Sequence, residues 1–182
     1  MMPTTRFRLL HDAGACKERY RFLAKALGGI KAYGRDTPIT LLQILDINGF
    51  DDALWALRAC DDAETFSRLL ACDYAEHVLP IFETQYPDDD RPRKAIAVSR
   101  RHAHGEATDA ELSAAGAAAW AAWHAAGAAG AAWAAWAAWH AAWAAGAAAW
   151  YAAEAAARDA AWHAECTWQE ARLRELLERG QE

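Results

Sequence analysis

Residues 113–164 read SAAGAAAWAAWHAAGAAGAAWAAWAAWHAAWAAGAAAWYAAEAAARDAAWHA, and this stretch dominates the fold of the chain. Alanine is the strongest helix former, and only scattered glycines oppose it here. From Leu112 to Ala153 no side chain is charged. The stretch therefore predicts helix, about 60 Å long if its uncharged part were one straight rod.

The large side chains of this tract recur mostly at steps of three and four. Steps of three lag behind a 3.6-residue turn, so the rings fan around the helix. A helix that is apolar on every side must be buried in a bundle, an oligomer or a membrane. We predict that copies of the chain associate through these side chains: Trp120, Trp123, Trp133, Trp136, Trp139, His140, Trp143 and Trp150.

Three other descriptions of the tract compete with a single packed helix. A membrane span needs only about 20 apolar residues, but the uncharged run has no Leu, Ile, Val or Phe and its tryptophans sit mid-run, away from the two interfaces. Low-complexity disorder conflicts with the alanine and aromatic content. A helical hairpin bent near Gly127 and Gly130 remains open. We favour packed helix, straight or folded back, and expect no membrane insertion.

Ahead of the tract, the residues predict a compact helical head. The expected architecture is all-α, with a head over residues 1–107 and a long Ala/Trp-rich helical oligomerisation segment over 108–182. No stretch alternates with period two, so we expect no sheet. The predicted helices of the head lie at about 13–27, 38–48, 51–60, 62–85 with a kink at Pro80, and 89–104. Thr37 is expected to cap the second helix, Thr108 and Glu111 match a capping box that starts the tract, and a last helix is expected over 165–180.

The charge distribution and the cysteine content limit the functions that this chain can have. Residues 1–35 have a net charge of +6, residues 36–112 of −9 and residues 113–182 of −3. The acidic middle suits a basic partner or head-to-tail contact between copies. No basic stripe interleaved with aromatics appears, so nucleic-acid binding is not expected. The four cysteines form no C-x-x-C pair, and no signal peptide precedes them, which predicts reduced thiols in a cytoplasmic protein.

Candidate site residues cluster between residues 73 and 93. The run Asp88-Asp89-Asp90 is either a helix cap, a partner contact or a cation site. Asp73 and His77 share a helix face at a spacing that can bind metal, but no second His or Cys with ligand spacing is near. We therefore expect no metal, no cofactor and no catalytic residue. The predicted partner-binding residues are Asp73, Glu76, His77, Asp88, Asp89, Asp90, Arg91 and Arg93. A further hypothesis is that His124 and His140 loosen assembly between about pH 7 and 5.

Two stretches carry a resemblance to a known family. They are TPITLLQILDINGFDDALWALRAC at residues 37–60 and CDYAEHVLPIFETQYPDDDRPRKA at residues 72–95. Followed by an alanine-rich tail, they resemble the bacterial and phage proteins called the putative immunity protein family, over about residues 9–108. The resemblance implies a small cytoplasmic helical protein that neutralises a toxin by binding it. Tryptophan here replaces the tyrosine, arginine and aspartate typical of such tails.

The leading functional hypothesis is therefore a non-enzymatic immunity-type binding protein whose partners are a toxin or effector and other copies of itself. A self-assembling structural or phage accessory protein is the first alternative, including one that inhibits a host defence complex. A metal-dependent enzyme using the Asp73/His77 region is the second.

Overall fold

The computed structural model describes residues 2–125, 133, 136–138, 140–141 and 161–180. The protein is all-α, as predicted from the sequence. In chain order its elements are β1 (Thr4–Thr5), α1 (Phe7–Asp12), α2 (Lys17–Ala26), α3 (Ile30–Tyr33), β2 (Ile39–Thr40), α4 (Leu41–Asn48), α5 (Phe50–Ala56), a 3₁₀ turn (Leu57–Ala59), α6 (Glu64–Gln85), α7 (Arg91–Ala103), α8 (Asp109–Ala125) and α9 (Ala161–Arg179).

Chain contacts divide the protein into two units. The first unit comprises Met1–Ala63 and Arg172–Glu182, and the second unit comprises Glu64–Ala171. The division falls inside α9, and the predicted boundary at residues 107/108 falls inside the second unit. By sequence, the first unit has twelve basic and eleven acidic side chains, and the second unit has seven basic and fourteen acidic side chains. The second unit therefore has a net charge of −7, whereas the first is close to neutral at +1.

The first unit packs its short helices around Phe7, whose side chain is completely buried. The rings of Tyr20 and Tyr33 meet it edge-on, with centroids 5.4 Å and 5.9 Å away. Edge-to-face contacts of this kind add to the stabilisation from buried area. Other buried side chains of the unit are Leu10, Leu23, Ile39, Leu41, Ile44, Leu45, Leu173 and Leu177.

Three sequence predictions for this unit were wrong. The helix predicted over 13–27 begins only at Lys17 and is α2, while α1 lies entirely before the predicted range; Gly14, with a positive φ of 81°, separates the two helices. The second helix is capped by Thr40, not Thr37, since Thr40 and Gln43 form the reciprocal hydrogen bonds of a capping box. The third correction is a small antiparallel sheet, in which β1 pairs with β2. Two-residue strands are too short to show an alternating pattern.

In the second unit, α6, α7 and α8 build a core against part of the alanine-rich tract. The helix α6 continues through Pro80 as a single helix. The helix α8 begins with the predicted capping box, in which the Glu111 backbone N–H donates to Thr108 Oγ1 over 3.2 Å. Ser99 Oγ on α7 donates to the carbonyl of Ala141 over 2.7 Å. Small side chains let helices approach closely at these contacts, and the tract contributes the buried residues Ala119, Ala122, Ala137, Ala138 and Ala141.

Described residues from two parts of the alanine-rich tract lie against each other. The ring centroids of Trp123 and Trp136 are 4.2 Å apart, and those of Trp120 and Trp136 are 4.8 Å apart. Thirteen residues of straight helix would separate Trp123 from Trp136 by about 20 Å. Of the two shapes left open by the sequence, one straight helix is thereby excluded. In the described part of the chain, no helix is long and apolar enough to cross a membrane.

Candidate functional site

The candidate site lies on the second unit, where α6 faces α7 and the first turns of α9. Helix α6 buries one side in the core and presents its acidic residues beside the basic residues of α7. The buried side consists of Leu70, Ala71, Tyr74, Ala75, Val78, Leu79 and Phe82. This amphipathic arrangement determines which of the predicted partner-binding residues reach the surface.

Two of those predicted residues, Asp73 and Glu76, share one arginine of α7. Arg100 Nη2 lies 2.7 Å from Asp73 Oδ1 and also donates to Glu76. The Asp73 side chain is only 10% exposed, so its charge needs this partner. Burial lowers the pKa of Arg100, but the hydrogen bonds that Arg100 donates to Asp73 and Glu76, and the charge of the Asp73 carboxylate, outweigh burial and leave the pKa raised. Asp73 therefore holds α6 against α7, and little of its side chain is exposed.

A second ion pair joins the same helices nearer the Asp88–Asp90 loop. Arg93 binds Glu83 through two parallel contacts, of 2.5 Å from Nε and 2.7 Å from Nη2. Hydrogen bonding to Glu83 is the main cause of the raised pKa of Arg93. Both side chains are more exposed than the Asp73 carboxylate, at 55% for Arg93 and 29% for Glu83. This bidentate pair orients Arg93 along the surface.

His77 is placed differently from the acidic residues of α6. Its Nδ1 lies 2.7 Å from Oε2 of Glu165, whose side chain is only 3% exposed. Gln169 donates to the other oxygen of Glu165 over 2.9 Å, and the Tyr74 hydroxyl donates to the Gln169 carbonyl over 3.0 Å. A carboxylate only accepts, so Nδ1 carries the proton. Within the described part of the chain, the other ring nitrogen of His77 makes no hydrogen bond.

The indole of Trp168 fixes the plane of the His77 ring. The two rings stack with centroids 3.6 Å apart and an interplanar angle of 8°. His77 itself stays 39% exposed. Two residues of α9 therefore fix this imidazole: Trp168 sets its plane and Glu165 sets its tautomer. Its Nε2 is directed away from the Glu165 carboxylate. Sequence reasoning found His77 but missed Glu165, Gln169 and Trp168, since they lie 88 or more residues further along the chain.

The three carboxylates of the Asp88–Asp90 loop lie in different surroundings. Asp89 binds the Arg91 guanidinium through both oxygens, at 2.8 Å and 2.6 Å, and Asp89 Oδ1 also accepts from the backbone N–H of Arg91 over 3.2 Å. Hydrogen bonding to Arg91 lowers the pKa of Asp89. Asp90 occupies the N-cap position without a side-chain cap and instead pairs with Lys94. Asp88 is exposed and makes no hydrogen bond or ion pair with the described residues.

The metal-binding alternative receives no support from this geometry. Asp73 is committed to Arg100, and Nδ1 of His77 is committed to Glu165. In the described ranges, no three His, Cys, Asp or Glu side chains are grouped so that they could hold a metal ion.

The described members of the predicted oligomerisation set form an aromatic cluster inside one chain. Trp120, Trp123, Trp133 and Trp136 contact one another or a neighbouring histidine, with centroid separations between 4.2 Å and 6.4 Å. Burial lowers the pKa of His140, which packs beside Trp136, to about 4. Protonation of His140 in the folded chain thus falls below the proposed window of pH 7 to 5. Trp139, Trp143 and Trp150 lie outside the described residues.

A small cavity in the first unit is a second place where a ligand group could fit. Its volume is about 230 Å³, and its walls are mainly apolar, with Leu23 and Trp55 among them. One side carries a polar network, in which Arg19 Nε and Asn48 Nδ2 each reach Asp52 Oδ2 over 2.7 Å. In this network Asn48 Oδ1 is buried and accepts no hydrogen bond from the described residues, so one acceptor beside the cavity is left unsatisfied.

Comparison with protein-family models bears on the site directly. The model described as Imm-5 like putative immunity protein matches residues 68–176. The chain belongs to this immunity-protein family. No curated protein and no solved structure matches the chain.

The family match confirms the predicted resemblance but shifts its extent. Residues 37–60, one of the two stretches that suggested the family, lie outside the matched region, whereas the whole alanine-rich tract, residues 113–164, lies within it. The immunity-family region nearly coincides with the second unit, so it contains the α6–α7 ion pairs, the His77 cluster and the described tryptophans of the tract.

Proposed function

We propose that this chain is a non-enzymatic immunity protein that neutralises a protein toxin or effector by binding it, and that the second unit makes the contact. The observation that supports this most is the near coincidence of the family region, residues 68–176, with the unit whose net charge is −7. Masking the active site of a toxin requires no chemistry from the inhibitor. The four free cysteines fit a cytoplasmic place of action.

The charge of the second unit favours a basic partner. Opposite charges across an interface steer the encounter and mainly raise the association rate. Much of the acidic charge on α6 is neutralised within the chain, so the steering charges are those still open to solvent. In the loop before α7, Asp88 and Asp90 are both exposed, Asp90 beside Lys94 and Asp88 without an ion pair among the described residues. We assign the steering role to these two carboxylates.

Affinity requires a group that is rigid before binding. His77 meets that requirement, because Glu165 and Trp168 fix its tautomer and its ring plane. A preorganised side chain loses little conformational entropy when a partner covers it. We assign His77 as a central contact, with its Nε2 bonding to a group of the toxin.

The test is co-expression of the chain with the toxin gene encoded beside it, read by survival of the host and by the stoichiometry of the purified complex. Neutralising Asp88 and Asp90 together (D88N/D90N) is expected to slow association about three- to tenfold and to weaken its salt dependence. The charge-matched control is D51N/D62N, two exposed aspartates of the first unit, and it should bind like wild type. Equal effects from both variants would remove the assigned surface. Recovery of only the chain itself from its host would favour the self-assembling alternative.

A further inference from the structure

The cavity in the first unit has apolar walls with polar groups on one side. Its walls include the buried side chains of Leu10, Leu23 and Ile44. Its volume is about 230 Å³, whereas an apolar cavity of about 150 Å³ holds one benzene molecule. By proportion, the space suits a ligand of about nine non-hydrogen atoms with an apolar body.

Asn48, the last residue of α4, supplies a hydrogen-bond acceptor beside this cavity. Its Nδ2 donates to the Arg19 carbonyl over 3.1 Å and to Asp52 Oδ2 over 2.7 Å. A carbonyl and a carboxylate only accept, so these two bonds fix which end of the amide is the nitrogen. Oδ1 is therefore left buried, and it accepts no hydrogen bond from the described residues. A buried acceptor of this kind favours a ligand that donates a hydrogen bond to it.

The charged side chains of the lining favour a cation. Arg19 is already paired, because its Nε donates to Asp52 over 2.7 Å and its Nη2 donates to the Asn48 carbonyl. Asp51, in contrast, is exposed and makes no hydrogen bond or ion pair with the described residues. With one basic and two acidic side chains, the lining has a net charge of −1. A cation with N–H groups can therefore use both the Asp51 carboxylate and Asn48 Oδ1, which come from residues three apart in the chain.

We propose that this cavity binds a small primary amine whose ammonium group donates to Asn48 Oδ1 and pairs with Asp51, while its aromatic or branched apolar body lies against Leu23 and Ile44. Water can satisfy the Asn48 oxygen when no ligand is bound, so a ligand that displaces this water must replace its hydrogen bond. The cavity residues belong to the first unit and lie outside residues 68–176, so this inference is independent of the proposed function.

The probe is 2-phenylethylamine, which has the required size, a ring and a primary ammonium group. Calorimetric titration of the full-length chain at pH 7 should show saturable binding with a Kd of about 0.1–1 mM. Cys16 is exposed and lines the cavity, so its thiol reports whether the cavity is occupied. A saturating concentration of the amine should slow alkylation of Cys16 by iodoacetamide at least about threefold, as measured by mass spectrometry.

Two analogues of the probe test the polar contacts separately. 2-Phenylethanol has the same size and can donate a hydrogen bond but has no charge, so it should bind about threefold more weakly. Propylbenzene has neither charge nor donor and leaves Asn48 Oδ1 unsatisfied. At equal concentration it should therefore protect Cys16 at least about tenfold less than the amine does.

A pair of variants tests the role of Asp51 on the protein side. D51N should weaken binding of 2-phenylethylamine about threefold, because the exposed carboxylate contributes a modest ion pair. The matched control is D62N, since Asp62 is an exposed aspartate of the same unit outside the cavity lining, and D62N should bind like wild type. Circular dichroism verifies that both variants keep the helix content of wild type.

Each outcome decides the proposal. Absence of saturable binding, or binding that leaves the alkylation rate of Cys16 unchanged, would reject the cavity as an amine site. Equal affinities for the amine and for 2-phenylethanol, or equal effects of D51N and D62N, would reject the ammonium assignment. Equal protection by propylbenzene would show a purely apolar pocket and reject the role of Asn48.

Discussion

Replacing Arg100 with methionine should destabilise the second unit far more than the same change at Arg93. Both arginines lie on α7 and bind carboxylates of α6, but their surroundings differ. Arg100 partners Asp73, which is 10% exposed, whereas Arg93 and Glu83 are 55% and 29% exposed. The comparison therefore isolates the effect of burial on an ion pair.

The size of the effect follows from what each variant leaves behind. R100M removes the guanidinium from a nearly buried carboxylate, a change that typically costs 3–5 kcal/mol in a fully buried pair. Arg100 itself is 33% exposed, so we expect a smaller cost of about 2–3 kcal/mol. R93M leaves Glu83 accessible to water and should cost about 0–1 kcal/mol. Methionine keeps the apolar stem of arginine in both variants, so lost packing is minimised.

The assay is urea unfolding at pH 7, followed by far-ultraviolet circular dichroism. With a slope of about 2 kcal/mol per molar urea, R100M should lower the midpoint by about 1 M and R93M by less than about 0.5 M. Adding D73N to R100M removes the stranded charge and should restore at least about 1 kcal/mol. Equal losses in R100M and R93M, or a double variant no more stable than R100M, would refute the reasoning.

Two further predictions concern buried titratable groups. Folding lowers the pKa of His140 from about 6.5 in the unfolded chain to about 4. Neutral His140 therefore leaves the free energy of unfolding independent of pH above about 6.5. As the pH falls from 6.5 toward 4, the unfolded chain binds this proton first, and the free energy of unfolding should fall by about 1–3 kcal/mol. H140F should flatten this part of the pH profile of unfolding free energy, whereas H124F, the control at an exposed histidine, should not. Identical profiles for wild type and H140F would contradict this prediction. Burial raises the pKa of Cys60 to about 12 and also raises that of Cys72, so iodoacetamide at pH 8 should modify exposed Cys16 first and reach these two only after unfolding. Mass spectrometry of the alkylated chain gives the order, and early labelling of Cys72 would oppose this.

Local signals in the sequence predicted the helices that depend on local interactions. The capping box at Thr108 and Glu111 and the start of α7 after Asp90 both match the structure. These features involve residues three or four positions apart, so the chain contains both partners in one short window. The interruption of the helix at Gly14 was not predicted, because a positive φ depends on the path of the chain and not on composition.

The candidate site was predicted in part. Asp73, Glu76 and His77 were chosen from one helix, but their partners are Arg100 and Glu165, 24 or more residues away. Spacing along α6 places Asp73 and His77 on one face and suggests a metal site. Packing against α7 and α9 gives each of them a different partner.

Composition and local pattern were sufficient for the all-α class, the family resemblance and the helical character of the described part of the alanine tract. They could not distinguish a straight tract from a folded one, because alanine stabilises helix equally in both and its small side chain encodes no single packing partner. The return of Trp136 to Trp120 and Trp123, and the burial of Glu165 under His77, are long-range contacts. Such contacts form when whole helices pack together and exclude water. Their free energy depends on residues far apart in the chain, so no short stretch of sequence predicts it.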